Sequence, residues 1–309
     1  MDIFTREEYS LRQMSEGGLH LLEIRGVEGL DLGKTFDCGQ CFRFERVENS
    51  RHECEWGGIA FGRAVSFASE GDTLYVYNAT GEDFDRLWRS YLGLDVDYDA
   101  IARDITSRSD SEALARAVEY GRGIRILGQD HWETLCSFII SQNNNIPRIK
   151  KLITALSQCM GDAIDTSGME AHGVSDEVGY AFPSPSSVAK AGVERLAELK
   201  TGFRAKYIYD AASRVSSGEL KLSDVASAHT ARAAELLCGI KGVGPKVAAC
   251  TLLFGFGRLE SFPIDVWIKR ALEKYFPGDF DAARLGPYAG VAQQYLFYYE
   301  RYLGGEENN

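Results

Sequence analysis

LLCGIKGVGPKVAACTLLFGFGRLESFPIDVWIKR, residues 236–270, contains a pattern of glycines that predicts two helices joined by a very tight turn. Gly242 and Gly244 permit the close, partly left-handed backbone that such a turn requires. Pro245 begins the second helix, because proline is favoured in a first turn, where its missing N–H would have no partner anyway. The free N–H groups of that helix, beside Lys241, predict a phosphate-binding site.

Two residues of this stretch suggest covalent chemistry. Lys246 lies in the first turn of the second helix, where the positive end of the helix dipole disfavours an ammonium group. Asp265 precedes the predicted helix 266–276 and is expected to be its N-cap, which keeps the carboxylate ionised. A lysine nucleophile beside a fixed carboxylate suits attack on a sugar C1′ carbon, since the amine displaces the base while the anion stabilises oxocarbenium charge.

LCGIKGVGPKVA, residues 237–248, followed by FPIDVW, residues 262–267, resembles the helix-hairpin-helix/Gly-Pro-Asp superfamily of DNA glycosylases. The hairpin, the lysine and the aspartate occur together at the spacing of that family. The alternative is a hairpin that grips DNA without chemistry, as in polymerases and ligases. Such hairpins need neither Lys246 nor Asp265, which favours the glycosylase interpretation.

Composition limits the cellular setting and the class of protein. The 309 residues, of which 45% are hydrophobic, suffice for one large domain or two to three small ones. No apolar run is long enough for a membrane span, and the charged N-terminus lacks a signal core. Seven scattered cysteines indicate reduced thiols. We therefore expect an intracellular protein, in the cytoplasm or nucleoid, or in the nucleus of a eukaryote.

The net charge of −11 argues against a protein that coats nucleic acid. Three basic segments without any acidic residue nevertheless occur, at residues 141–152, 199–207 and 236–250. Each alone is most simply a solvated face. Together they predict one local phosphate-binding face on an acidic body.

The predicted fold class is α+β. Short aromatic and aliphatic runs separated by turn residues predict an antiparallel sheet between residues 18 and 80. Its strands are expected at residues 20–26, 40–47, 54–62, 64–68 and 73–79. From residue 82 onward the pattern is helical. We expect an N-terminal sheet domain with its following helices at residues 1–120. A helical catalytic region should span 121–309, with its hairpin at 236–256, as one unit or as two subdomains with the cleft between them.

Several shorter features qualify this outline. Cys38-x-x-Cys41 is a single pair and is weak evidence for a metal or redox site, whereas Gly39 between them is suited to close backbone approach. Asp130 and Glu133 resemble a capping box that opens a strongly apolar helix. That helix ends in Gln142 and three asparagines, which suit either the reading of a base edge or a local capping turn. Residues 161–187 are expected to be a long surface loop.

The resemblance is closest to the 8-oxoguanine DNA glycosylases that carry an N-terminal sheet domain. It covers nearly the whole chain, through residues 30–44, 129–149, 202–208 and 286–297 in addition to the hairpin. It implies that Lys246 is the Schiff-base nucleophile and that Asp265 is its carboxylate partner.

The resemblance also implies a base pocket. Gly39 would offer its carbonyl to the N7–H group that distinguishes 8-oxoguanine from guanine. Phe297 and Cys250 would sandwich the flipped base, and Gln293 would contact its Watson–Crick edge. Helical spacing is compatible with this, since Gln293 and Phe297 are four residues apart, as are Lys246 and Cys250. Core packing is the alternative for Phe297 and Cys250.

The remaining implied roles concern the DNA strands. Asn143 would occupy the space left by the flipped nucleotide, and Phe203 would wedge into the stack. Arg148 and Arg204 would contact the orphaned cytosine. Three departures from the family pattern affect these contacts: Trp267 stands where the family often has histidine, Phe203 where it often has tyrosine, and Gln142 where a small polar residue is common.

The sequence thus predicts a bifunctional DNA glycosylase/β-lyase that excises 8-oxoguanine opposite cytosine from duplex DNA, as a monomer without metal or organic cofactor. Relatives with an iron–sulfur cluster need four cysteines near the C-terminus, and this chain has none after Cys250. One alternative is a monofunctional alkylbase glycosylase of the 3-methyladenine type, against which Lys246 and the asparagine run argue. The other is a non-enzymatic helix-hairpin-helix binder of damaged DNA.

Overall fold

The computed structural model describes residues 9–16, 18–276, 278 and 280–303. An antiparallel sheet followed by helices confirms the predicted α+β class. The strands are β1 Ser10–Glu16, β2 Leu19–Arg25, β3 Phe44–Arg46, β4 Cys54–Ala60, β5 Arg63–Glu70 and β6 Thr73–Tyr77. The α-helices are α1 Leu32–Asp37, α2 Gly81–Asp83, α3 Arg89–Tyr91, α4 Tyr98–Ser107, α5 Glu112–Gly121, α6 His131–Ser141, α7 Ile146–Met160, α8 Pro185–Glu198, α9 Ala205–Ser217, α10 Leu222–Ser227, α11 Thr230–Cys238, α12 Pro245–Phe256, α13 Val266–Tyr275 and α14 Ala289–Tyr302.

The strands form one six-stranded sheet in the order β1-β2-β6-β5-β4-β3, with every neighbouring pair antiparallel. Leu22 pairs with Val76, and Val76 pairs with Phe67, so apolar side chains stand in a row across three strands. This face is buried against α1 and Trp88. The aromatic and aliphatic runs that predicted the strands therefore supply a covered face of the sheet.

The second face of the sheet is also covered. Leu21 and Tyr77 pair across β2 and β6 and are packed with Met169 and Val174, both fully buried. The expectation that residues 161–187 are a surface loop is therefore wrong for this part of the segment. The apolar residues of this segment are too few and too widely spaced to show a period, so the sequence pattern did not indicate their contact with the sheet.

Three local assignments differ from the sequence prediction. Strand β1 lies outside the range predicted for the sheet. It was not predicted because its exposed residues show no apolar alternation, and it is held in the sheet by pairing with β2. The predicted strand 40–47 shortens to Phe44–Arg46. Helix α1 was not predicted; it is six residues long and is capped by Asp31, whose side chain accepts from the Lys34 N–H at 2.9 Å.

The larger core belongs to the helices. Leu135 and Ile139 of α6 are fully buried within it, which confirms that this apolar helix is central. Helices α4 and α5 contribute to the same core, with α5 packed against α14. The domain boundary between residues 120 and 121 stays a prediction.

Candidate functional site

The predicted hairpin is present between α11 and α12. Gly242 has φ +80°, and a Cβ atom added there would lie 2.4 Å from the ring of Tyr207, so only glycine fits. Asp210 closes the turn from outside by accepting from the Lys241 N–H at 2.8 Å. Gly244 is the N-cap of α12 and has no side chain to pair with its first N–H groups. These groups remain suited to an anion, as the sequence predicted.

Lys246 lies in the first turn of α12 and is half-buried, with its Nζ atom 5.7 Å from the centroid of the Phe138 ring. Cys250, one turn further, is buried. Burial raises the pKa of the Cys250 thiol to about 11, while the Lys246 ammonium acts to lower this pKa and the Asp265 carboxylate acts to raise it. The three side chains are therefore within electrostatic reach of one another. We call Lys246, Cys250 and Asp265 the lysine cluster.

Asp265 is the N-cap of α13, as predicted. Its Oδ1 atom accepts from the Ile268 N–H at 2.8 Å, which fixes the carboxylate at the start of the helix. Ile264 and Val266 on either side of it are exposed, at 51% and 65%. Trp267, which stands where the family often has histidine, has the Arg270 guanidinium 5.2 Å from its ring centroid.

The second group of predicted residues meets around Gly39. This glycine has φ +75°, and a Cβ atom added to it would lie 3.5 Å from Phe297 Cζ and 3.8 Å from Ile146 Cδ1. Gln293, one turn before Phe297 on α14, is 3% exposed, and its Oε1 atom has no hydrogen-bond partner within the described chain. This amide oxygen is therefore available to accept a hydrogen bond from a donor outside the described chain. We call Gly39, Ile146, Gln293 and Phe297 the glycine cluster.

Ile146 was missed by the sequence prediction. It stands at the first position of α7, directly after the asparagine run. An apolar residue at the exposed start of a helix is a weak signal for a pocket, and only the contact with Gly39 reveals its place.

Stacked aromatic rings connect the two clusters. Phe138, beneath the Lys246 amine, packs on Phe254 of α12 with ring centroids 5.4 Å apart. It also meets Phe42, three residues after Gly39, with centroids 5.8 Å apart. Stacked rings thus run from Phe138, beneath the Lys246 amine, to Phe42, which follows the Gly39 turn.

The sequence left two roles open for the asparagine run, a local capping turn and contact with a base, and its members differ in this respect. Asn145 caps α7, accepting from the Arg148 N–H at 3.0 Å, and Asn144 donates to the Ile140 carbonyl at 3.1 Å. These two form a local capping turn. Asn143 is exposed and left-handed, with φ +49°, a conformation that costs energy for a residue with a side chain. Asn143 is thus the member of the run that is free to contact DNA.

Arg204 is almost fully buried and holds this loop. Its guanidinium donates to the carbonyls of Gln142 and Asn143, both at 2.8 Å. Burial lowers the pKa of Arg204, and the nearby Arg148 charge adds to this effect. Arg148 itself is exposed, with a guanidinium nitrogen 3.4 Å from the Lys200 carbonyl. The structure brings Arg204 to Asn143 and places Arg148 within electrostatic reach of Arg204, and the contacts of both arginines with an orphaned cytosine stay a prediction.

Phe203 is 47% exposed beside this loop. The Arg204 guanidinium lies 4.5 Å from its ring centroid, and Tyr207 meets it edge-on at 5.8 Å. Because Tyr207 also packs on Gly242, Phe203 stands next to the hairpin. The role of the exposed Phe203 ring as a wedge stays a prediction.

The three basic segments are neighbours. The contact of Arg148 with Lys200 joins the first to the second, and the packing of Tyr207 on Gly242 joins the second to the third. Lys150 is an exception, because its ammonium is paired with Glu45 at 2.8 Å. The adjacency supports the predicted phosphate-binding face.

One other predicted feature, the capping box, differs in the structure, and the Cys38-x-x-Cys41 pair was already weak evidence for a metal or redox site. Asp130 caps α6, but the Glu133 carboxylate lies 3.7 Å from Arg43, so only half of the capping box forms. Cys38 and Cys41 are buried free thiols whose pKa values are raised by burial. Within the described ranges, no group of three possible metal ligands occurs, and no helix is long and apolar enough to cross a membrane.

Comparison with known proteins supports the family that the sequence resembles. Residues 24–135 match the family model of the 8-oxoguanine DNA glycosylase N-terminal domain. Residues 136–282 match the HhH-GPD superfamily of base excision DNA repair proteins. The chain is 27% identical over 286 residues to the N-glycosylase/DNA lyase OGG1 of Arabidopsis thaliana, covering 89% of this chain and 74% of that protein.

Two similar solved structures contain DNA. The structure of MBOgg1 with a low-affinity DNA ligand has a TM-score of 0.86 and 39% identity, covering 96% of this chain and 100% of that one. The 8-oxoguanine glycosylase/lyase of Clostridium acetobutylicum, bound to duplex DNA with cytosine opposite 8-oxoguanine, has a TM-score of 0.84 and 35% identity. It covers 97% of this chain and 99% of that one.

Proposed function

The chain belongs to the HhH-GPD superfamily of base excision DNA repair proteins, in the branch with an 8-oxoguanine DNA glycosylase N-terminal domain, and from this we infer its reaction. It is a bifunctional DNA glycosylase/β-lyase that removes 8-oxoguanine opposite cytosine from duplex DNA. Its partner is lesion-containing DNA, and its place of action is the compartment that holds the DNA.

We assign the reaction steps to the lysine cluster. The Lys246 amine attacks C1′, the bond from C1′ to N9 breaks, and the base leaves with that electron pair and a proton. The Asp265 carboxylate stabilises the positive charge that develops on the sugar, since its backbone bond to Ile268 keeps it in place. Opening of the sugar ring gives a Schiff base between Lys246 and C1′. Loss of the C2′ proton then expels the 3′ phosphate, which cuts the strand.

The glycine cluster supplies recognition. The Gly39 carbonyl is an acceptor suited to N7–H of 8-oxoguanine, which guanine lacks. The partnerless Oε1 of Gln293 suits a donor on the Watson–Crick edge. Phe297 and Cys250 provide the two faces between which the base is held.

The DNA contacts proposed for the surrounding face use its exposed groups together with Arg204, which is almost fully buried against the asparagine loop. Phe203 enters the stack at the lesion, and Asn143 fills the gap that the flipped nucleotide leaves. Arg148 and Arg204 contact the orphaned cytosine. Lys241 and the N–H groups after Gly242 and Gly244 bind a backbone phosphate.

The test uses a labelled duplex with one 8-oxoguanine opposite each of the four bases in turn. Borohydride is added to half of each sample before denaturing electrophoresis. We expect strand cleavage and a trapped covalent adduct, strongest opposite cytosine. Cleavage only after hot alkali, without an adduct, would indicate a monofunctional glycosylase, and duplexes with 3-methyladenine would then test the alkylbase alternative. No reaction with any duplex would leave a non-enzymatic DNA binder.

A further inference from the structure

Glutamine side chains hold the backbone on both sides of Gly39. Gln294 of α14 donates from Nε2 to the Cys38 carbonyl at 2.6 Å. Gln129 donates from Nε2 to the Gln40 carbonyl at 2.8 Å. The peptide units before and after the Gly39–Gln40 unit therefore each have a fixed donor.

The side chain of Gln40 is fixed as well. Its Nε2 atom donates to the carbonyls of Thr35 at 2.8 Å and Arg125 at 2.7 Å, and its Oε1 atom accepts from the Leu127 N–H at 2.9 Å. Gln40 is 1% exposed. Buried amides with satisfied partners restrict a backbone strongly, because breaking them leaves unpaired polar groups.

The same glutamines connect the Gly39 turn to α14 and α12, the helices that carry the residues proposed to hold the base. Gln294 follows Gln293 directly on α14 and is itself 1% exposed. The Nε2 atom of Gln129 also lies 3.3 Å from the carbonyl of Phe254, one turn beyond Cys250 on α12. A shift of the Gly39 turn would therefore break bonds to both helices.

We propose that Gln294 and Gln129 are positioning residues that determine specificity, by preventing rotation of the Gly39–Gln40 peptide. Glycine resists such rotation less than any other residue, because it has no Cβ. If the peptide turned over, the Gln40 N–H would face the base in place of the Gly39 carbonyl. That N–H matches the N7 acceptor of guanine, whereas the carbonyl matches the N7–H of 8-oxoguanine. The restraint thus preserves the preference for the oxidised base, and the inference depends on the function proposed above.

The test compares Gln294→Met and Gln129→Met, which keep similar volume but remove the donor. Gln158→Met is the matched control, since exposed Gln158 donates to the Glu177 carbonyl at 2.8 Å and has no described hydrogen bond to residues 38–40. Each preparation is assayed for excision of 8-oxoguanine opposite cytosine and for cleavage at a preformed abasic site. Binding is measured to duplexes with uncleavable 2′-fluoro analogues of 8-oxoguanosine and guanosine.

We expect excision by both variants to fall about tenfold, and the binding preference for 8-oxoguanine over guanine to fall similarly. Cleavage at the abasic site, where no base is read, should stay within about twofold and shows that the protein is folded. The control should match the unmodified protein. Equal losses in excision and abasic cleavage, or an unchanged binding preference, would overturn the inference. An unmodified protein that cuts abasic DNA without excising 8-oxoguanine would instead overturn the proposed function, and the inference with it.

Discussion

The lysine cluster and the glycine cluster, to which we assign the two halves of the proposed function, are assembled differently. Lys246, Cys250 and Asp265 come from one continuous stretch, where a glycine turn, a proline and an N-cap fix each position locally. The glycine cluster combines a turn near the N-terminus with α14, and the hydrogen bond from Gln294 to Cys38 spans 256 positions in the chain. The proposed chemistry therefore depends on local geometry, whereas the proposed recognition of the base depends on tertiary contacts. Substitutions in the two clusters should therefore affect base excision and abasic-site cleavage in different proportions.

The largest effect is expected for Lys246→Gln. Excision and abasic cleavage should both fall by at least about 10³-fold, because both steps pass through the same Schiff base. Affinity for lesion DNA should change by no more than about threefold, since only one positive charge is removed. Lys190→Gln, on the exposed surface of α8, is the matched control. A borohydride-trapped adduct with the Lys246→Gln protein would show that another residue is the nucleophile.

Asp265→Asn tests whether the carboxylate charge of Asp265 is needed for excision or whether Asp265 only caps the helix. Asparagine caps helices as well as aspartate, so the thermal midpoint should shift by less than about 3 °C. Excision should nevertheless fall by about 10²- to 10³-fold, because the developing positive charge loses its anion. Asp97→Asn removes the charge from another N-cap, whose side chain accepts from the Ala100 N–H at 2.9 Å, and should retain full activity. Equal activity of the two variants would mean that Asp265 is only a cap.

Gly39→Ala tests the glycine cluster. The added methyl group would stand 3.5 Å from Phe297, in the space proposed for the base, and excision should fall by about tenfold or more. Abasic cleavage should fall far less. Gly218→Ala is the control: it has a similar φ of +78° with no atom within 4 Å of the added Cβ, so both should lose about 1 kcal/mol of stability. If Gly39→Ala lost both activities equally, the separation of the two clusters would be wrong.

The same contrast explains how much of the molecule was predictable. The hairpin, the cap at Asp265 and most strands depend on glycines, caps and periods that are visible within a few residues. Strand β1, SLRQMSE, shows no such period because nearly all of its residues are exposed at the sheet edge. Gln129 and Gln294 look like ordinary polar residues in the sequence. Their partners are backbone carbonyls brought close only by the fold, so no local pattern could reveal them.

One ion pair lies between the turn of the glycine cluster and α6, on which the lysine cluster rests. Arg43 follows the Gly39 turn, and Glu133 stands one turn before Ser137 and Phe138 on α6. Burial raises the pKa of Glu133 from 4.5 to about 7; Arg43 opposes this rise, and the Asp130 carboxylate adds to it. The two charges are 3.7 Å apart, too far for a strong hydrogen bond.

The smallest effect is expected from this pair and concerns stability. Because folding raises the pKa of Glu133, the folded protein binds more protons than the unfolded chain between about pH 4.5 and pH 7. The contribution of Glu133 to the free energy of unfolding is therefore complete below that window and is lost as pH rises through it. Glu133→Gln removes this titration, so the stability of the unmodified protein relative to this variant should fall by about 2 kcal/mol between pH 5 and pH 8. Denaturant unfolding at both pH values measures the difference, with Glu82→Gln at an exposed helix position as the control. A difference that stays constant with pH would mean that the Glu133 carboxylate is ionised throughout. The contact between turn and helix would then be a permanent ion pair.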